Sequence, residues 1–265
     1  MRKRSYLVVL LAVAVAAAVS ASAALGGSTG SPVVAADGNS QAVGVVFSPK
    51  KLGKKTFTPA ALEVTTALSN PSSSNGVPVP TTNVVIDFDQ NVKIFTKGVP
   101  TCSASQLQSV STEIALEKCG KAKIGSGTGT ALLPVGGKVF TINPVVTAFN
   151  GAPKGGKPVI LLHVYSTTPI QTTLVLTGTV KSYNKQGYGP RLDVEVPLLA
   201  GGAGALTYFN VKVKKTYRYK GKSVSYISAK CPNSKKLKAR SVFTFKDGQT
   251  ANPTYVQTCA QNPKK

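Results

Sequence analysis

The sequence predicts an all-β protein, an antiparallel β-sandwich of Ig-like or jelly-roll-like type, with one short helix near Ser103–Ser109. Three observations carry this. From Ala42 onward the chain is a series of short β-branched runs separated by Gly, Pro, Asn and Lys, the pattern of strands and turns. Several runs alternate with period two: Val139, Thr141 and Asn143 oppose Phe140 and Ile142, and Phe209, Val211 and Val213 oppose Asn210, Lys212 and Lys214. The strand–helix–strand rhythm of about 30 residues that marks a parallel sheet is absent.

The chain opens with Arg2-Lys3-Arg4, an apolar stretch from Tyr6 to Val19, and Ser20-Ala21-Ser22-Ala23. A basic start, an apolar middle and a small-residue end describe a secretory signal peptide over residues 1–23. Cleavage is expected after Ala23, with Ala36 as the alternative site, and no second apolar span follows. Residues 24–41 are rich in Gly, Ser and Ala and read as a flexible lead-in. Residues 42–265 read as one β-sandwich domain that ends in a disulfide-stapled hairpin.

Within that domain the strands are expected at Val43–Phe47, Leu62–Ala67, Val84–Phe88, Val92–Thr96, Thr128–Leu133, Val139–Phe149 and Val159–Ser166. They continue at Thr172–Tyr183, Arg191–Val196, Leu206–Tyr219, Ser223–Ala229, Ala239–Phe245 and Pro253–Cys259. Asp247-Gly248 after Phe243-Thr244-Phe245 is a hairpin-turn signal. Ser103 with Gln106 three residues on resembles a capping box, and Leu107, Val110 and Ile114 have helical spacing.

Four cysteines allow three pairings, and sequence alone does not choose among them. Locality favours Cys102 with Cys119 and Cys231 with Cys259. Loop closure contributes about 3–4 kcal/mol to either bond, which does not discriminate. A helix over all 16 residues between Cys102 and Cys119 would be about 24 Å long, whereas bonded cysteines have Cα atoms about 6 Å apart. If these two pair, the helix is short and the chain turns back.

Composition limits the function. There are 32 Lys and Arg against 9 Asp and Glu, with a single His. Removing Arg2, Lys3 and Arg4 with the leader leaves 29 bases against 9 acids, a net charge of +20. At least 20 positive charges therefore face water or an anionic partner. The hydrophobic share of 42% argues against a disordered basic tail. The lone His163 excludes a multi-histidine metal site and reads as structural.

Ile124-Gly125-Ser126-Gly127-Thr128-Gly129 invites a phosphate-cradle reading, but Ala131-Leu132-Leu133-Pro134 follows where a helix would have to begin. A glycine-rich strand packed close to another backbone is the expectation. Asp87 with Asp89, and Asp193 with Glu195, each share a strand face. Such pairs serve calcium binding or glycoside hydrolysis, but the EF-hand pattern fails at Val92 and Gly98, and solvated positions offsetting nearby Lys are expected.

The densest basic region runs from Lys212 to Arg240. Its candidate polyanion contacts are Lys212, Lys214, Lys215, Arg218, Lys220, Lys222, Lys235, Lys236, Lys238 and Arg240, with Tyr208, Tyr217, Tyr219 and Tyr226 interleaved. Bases with aromatics between them are what single-stranded nucleic-acid grooves use. Here Tyr217 and Tyr219 fall on one strand face and Arg218 and Lys220 on the other. With export, that makes nucleic acid a poor partner; wall polymers, acidic polysaccharides and lipid head groups fit better.

At Gly98-Val99-Pro100-Thr101-Cys102, at Lys118-Cys119-Gly120-Lys121-Ala122-Lys123-Ile124-Gly125-Ser126-Gly127, and at Lys230-Cys231-Pro232 with Cys259, the chain resembles a group of secreted, disulfide-paired, β-rich proteins of high-GC Gram-positive bacteria. The resemblance covers most of the chain after the leader. Where that group commonly has Pro after the second cysteine, this chain has Gly120. It implies a β-rich fold and disulfide-bonded cysteines, and it transfers no active site, because no activity is assigned to the group. The expected function is therefore a secreted, non-enzymatic protein of the cell envelope that binds anionic wall polymer or acidic polysaccharide, with no cofactor. Two alternatives stand beside it: a glycan hydrolase using the paired carboxylates, and a carrier of an apolar ligand between the sheets.

Overall fold

The structure, a computed structural model, describes residues 29–168 and 171–262. The expected signal peptide lies outside them. Strands β1 (Val33–Val34), β2 (Ser40–Ser48), β3 (Lys51–Leu52), β4 (Thr58–Pro59), β5 (Ala61–Ser69), β6 (Thr81–Asp89) and β7 (Val92–Ile94) precede helices α1 (Ala104–Leu107) and α2 (Thr112–Cys119). Then come β8 (Lys123–Val135), β9 (Lys138–Ile142), β10 (Val145–Lys154), β11 (Lys157–Ser166), β12 (Thr172–Ser182), β13 (Tyr188–Glu195) and β14 (Ala205–Val213). The chain closes with β15 (Thr216–Tyr219), β16 (Lys222–Ser225), β17 (Ile227–Ala229), β18 (Lys236–Phe245), β19 (Thr250–Ala251), β20 (Thr254–Thr258) and β21 (Ala260–Gln261).

The protein is β-rich, and its large sheet is antiparallel, while β3 and β21 pair in parallel. Fourteen strands form one hydrogen-bonded sheet in the order β1-β2-β5-β14-β8-β10-β11-β12-β13-β6-β18-β19, with β9 beside β8 and β20 beside β18. Its two ends come together, because the Gln257 side chain on β20 hydrogen-bonds the backbone of Phe47 on β2. The largest core lies inside, where Val43, Phe47, Phe88, Leu162, Phe243 and Phe245 pack.

Most expected strands are present, and their differences have local causes. The run Val139–Phe149 is two strands, because Pro144 between β9 and β10 lacks the N–H a ladder needs. Leu206–Tyr219 divides after Val213, where Lys214 N–H bonds Ile124 O. The lead-in is shorter than composition implies: β1 pairs with the start of β2, and Asn39 and Gln41 are buried. Asn39 donates to Val79 O, and Gln41 donates to Ala42 O and Ala67 O, so these amides hold residues 33–41 in the fold.

The capping box at Ser103 and Gln106 starts the short helix α1 as expected. Ser109, at φ 54°, then turns the chain, and Ser111 caps a second helix absent from the sequence reading. Cys102 bonds Cys119 and Cys231 bonds Cys259, with Cα separations of 5.6 and 5.9 Å. The helical unit packs on the outer face of the sheet. β11 therefore buries both faces, with Ile160, Leu162 and Val164 in the main core and Val159 and Leu161 beneath Leu107 and Ala115. This is why Val159–Val164 reads as a continuous apolar run.

The glycine string lies within β8, between β10 and β14. A Cβ at Gly127 would stand 1.8 Å from Asn210 O, and one at Gly125 2.3 Å from Lys212 O. Close backbone approach explains the glycines without a phosphate.

Candidate functional site

The structure distributes the ten candidate basic residues over three places. Lys212, Lys214 and Lys215 lie at the end of β14, where with Lys123 they line an open groove beside Gly125 and Ser126. Lys215 is half-buried and donates to Lys121 O and Lys123 O, at 2.9 and 2.7 Å, and burial lowers its pKa. Its ammonium ties the groove floor together. Lys212 approaches Glu63 at 3.9 Å. Among the described residues no carboxylate lies within ion-pair distance of Lys123 or Lys214.

Arg218, Lys220 and Lys222 project from the β15–β16 hairpin. The tyrosines beside them face the protein. Tyr217 donates to Phe95 O and Lys97 O, Tyr219 packs edge-on against Phe95 at 5.6 Å, and buried Tyr226 donates to Asn150 Oδ1. Of these charges Lys220 lies 5.7 Å from the Tyr219 ring centre.

Lys235 occupies the turn before β18, while Lys236, Lys238 and Arg240 sit on that strand. β18 is no neighbour of β14 in the sheet. Lys238 and Arg240 belong instead to a cluster built round Asp87. Asp87 on β6 lies in register with Arg191 on β13 and with Arg240 on β18. Arg191 reaches it through Nε and Nη2 at 2.6 and 2.9 Å, and Arg240 through Nε at 2.8 Å. Burial alone would raise the Asp87 pKa, but the two guanidiniums outweigh it and hold the carboxyl below its usual value. Tyr183 and Tyr188 complete the cluster, with Arg191 4.1 Å from the Tyr183 ring centre and Arg240 4.6 Å from that of Tyr188.

Asp87 and Asp89 depart from expectation, whereas Asp193 and Glu195 do not. Asp87 and Asp89 are buried at 3% and 4% exposure instead of solvated. Asp89 accepts from Asn91 N, Asn91 Nδ2 and Lys238 N. Asp193 accepts from Asn83 Nδ2 and from Lys181, which outweigh its partial burial and keep its pKa low. Glu195 is exposed. The charges at Arg191 and Lys181 were not singled out from sequence; only strand register reveals them.

His163 is fully buried beneath the helical unit. Its Nε2–H donates to Val110 O at 3.0 Å, and the ring stacks near Tyr165. Its contacts are thus those of a packed side chain.

An apolar slot of about 100 Å³ runs through the interior. Its wall includes Thr81 and Phe88 on β6 and Leu206 and Val213 on β14. Left empty, an apolar void of this volume costs on the order of 2 kcal/mol.

Among the described residues, no three His, Cys, Asp or Glu are grouped to hold a metal ion, and no helix is long and apolar enough to cross a membrane. Two disulfides fit an oxidising compartment. No family model matches the chain, and neither a curated protein nor a solved structure matches it.

Proposed function

We propose that this is a secreted, non-enzymatic β-sandwich of the cell envelope that binds anionic wall polymer or acidic polysaccharide. The sandwich is the one sheet folded over its core and joined at Gln257. Residues 1–23 direct export. One observation carries the binding role: Lys123, Lys212, Lys214 and Lys215 line one groove, and Lys123 and Lys214 there have no acidic partner among the described residues. A polymer of repeated negative charge engages such a groove by simple electrostatics, which salt screens. The engagement of Asp87, Asp89 and Asp193 by neighbouring donors supports a role without hydrolysis.

The test is retention of the mature chain on immobilised polygalacturonate. Binding at low salt that falls steeply as salt rises, and that Lys123→Glu with Lys214→Glu abolishes, supports the reading. Retention indifferent to salt or to both substitutions sinks it. A second reading, the carrier, is favoured by the interior slot, which is lined almost wholly by apolar side chains.

A further inference from the structure

We propose that one end of the protein is a docking surface for an anionic lipid bilayer. This goes beyond the groove and engages a different class of partner. Strand register defines the end. From pairing to pairing round the sheet, the ends of β2, β6, β12 and β14 come together with the starts of β5, β8, β11, β13 and β18. Among the described residues, every Lys and Arg except Lys138 and Lys246 lies in this half of the molecule. Neither the strand pattern nor the composition reveals this, because the bases come from connections far apart in the chain.

The connections divide in the same way. At the basic end, Lys54 and Lys55 lie between β3 and β4, Lys185 between β12 and β13, Lys220 at the β15–β16 turn, and Lys235 before β18. Lys154 and Lys157 face each other across the β10–β11 turn, a like-charge pair that costs stability unless an anion offsets it. At the opposite end, the connections over residues 70–80 and 196–204 contain no Lys or Arg. The charge therefore rings one end of the joined sheet.

Acids in this half do little to cancel it. Asp87 and Asp89 are buried, Glu63 meets Lys212, Asp193 meets Lys181, and Glu117 is exposed on α2. Among the described residues, none of the connection lysines just named has a carboxylate within ion-pair distance. Phe57 gathers two more bases: Lys93 and Lys230 lie 4.0 and 5.3 Å from its ring centre, which holds both ammoniums together at the rim. A linear polymer crosses such a rim along one line and meets few of these charges. A plane of anionic head groups meets them all, and each Lys near such a plane adds about fivefold in affinity. Among the described residues, no large apolar side chain is exposed on these connections, so the contact is electrostatic and the bilayer is not entered.

The mature chain is sedimented with vesicles of mixed phosphatidylglycerol and phosphatidylcholine and, separately, of phosphatidylcholine alone. Binding is expected to the anionic vesicles only, falling steeply as salt rises. Lys154→Glu with Lys235→Glu, on well-separated connections of the rim, should weaken it about tenfold or more. Lys138→Glu with Lys246→Glu changes the net charge by the same amount at the opposite end and should weaken it about twofold at most. A rim pair that binds no worse than this control, or equal binding to the neutral vesicles, overturns the inference. A wild type that ignores anionic vesicles but is retained on polygalacturonate overturns it too and leaves the polymer reading standing. Retention on neither overturns both.

Discussion

Gln257 and Phe47 make a two-way amide exchange across the join of the sheet. The Phe47 N–H donates to Gln257 Oε1 at 2.6 Å, and Gln257 Nε2 donates to Phe47 O at 2.8 Å. Both residues are buried, at 6% and 2% exposure. One side chain thus supplies to β2 what a neighbouring strand supplies elsewhere. Gln257→Leu keeps the volume and leaves a buried N–H and C=O without partners. It should cost about 2–4 kcal/mol and speed exchange of the Phe47 amide. Hydrogen exchange resolved to that residue checks it; unchanged protection would mean that the join is held by packing.

Asp87 accepts from Arg191 and Arg240 while almost wholly buried. Asp87→Asn removes the charge and leaves two guanidiniums facing each other. The expected loss is about 2–4 kcal/mol, short of the full cost of an unpaired buried charge because the arginines are 30% and 31% exposed. The wild type carries a pH signature as well. Since the folded-state pKa lies below the unfolded one, this stabilisation is complete above about pH 4 and fades as pH falls through the folded value. Denaturant titrations below pH 4 should show the wild type converging on the variant.

Much of this architecture was legible because strand alternation and turn residues are local. The Asp247-Gly248 turn forms between β18 and β19, with Gly248 at φ 84°. The capping box at Ser103 was equally readable. Helix α2 was not, because it buries only Ala115 and Cys119 and exposes Ile114, so it has almost no apolar stripe. Asp87 and Asp89 misled for a different reason. Asp87 finds Arg191 and Arg240 at separations of 104 and 153 residues, so only register could show that its charge is compensated indoors. The groove likewise joins Lys123 to Lys214 across paired strands, and the slot needs the packing of several strands at once.

Gly127 is a site where shape alone decides. An added Cβ would collide with the Asn210 carbonyl at 1.8 Å, and both atoms belong to paired backbones that cannot rotate away. Gly127→Ala should cost at least about 3 kcal/mol. Gly120→Ala is the matched control: it has open space around it and a helical φ of −57°. It should be neutral or slightly stabilising. Paired thermal melts distinguish the two, and similar melting temperatures would refute the close-approach account of the glycine string.

His163 should make the helical unit acid-sensitive. Its Nε2–H donates to Val110 O, which also accepts from Thr173 Oγ1 at 3.2 Å. Its Nδ1 is buried with no hydrogen-bond partner. Protonation would add a second N–H with nowhere to donate, and burial accordingly lowers the pKa despite the opposing bond to Val110. The unfolded chain therefore binds this proton more readily than the folded one. Stability is complete above about pH 6.5 and declines as pH falls through the lowered folded value. Hydrogen exchange in Ala104–Leu107 and Thr112–Cys119 should quicken over that range before the main sheet responds. His163→Leu should flatten the dependence, because Thr173 still satisfies the Val110 carbonyl. Persistence of the same acid response in that variant would assign it to another group.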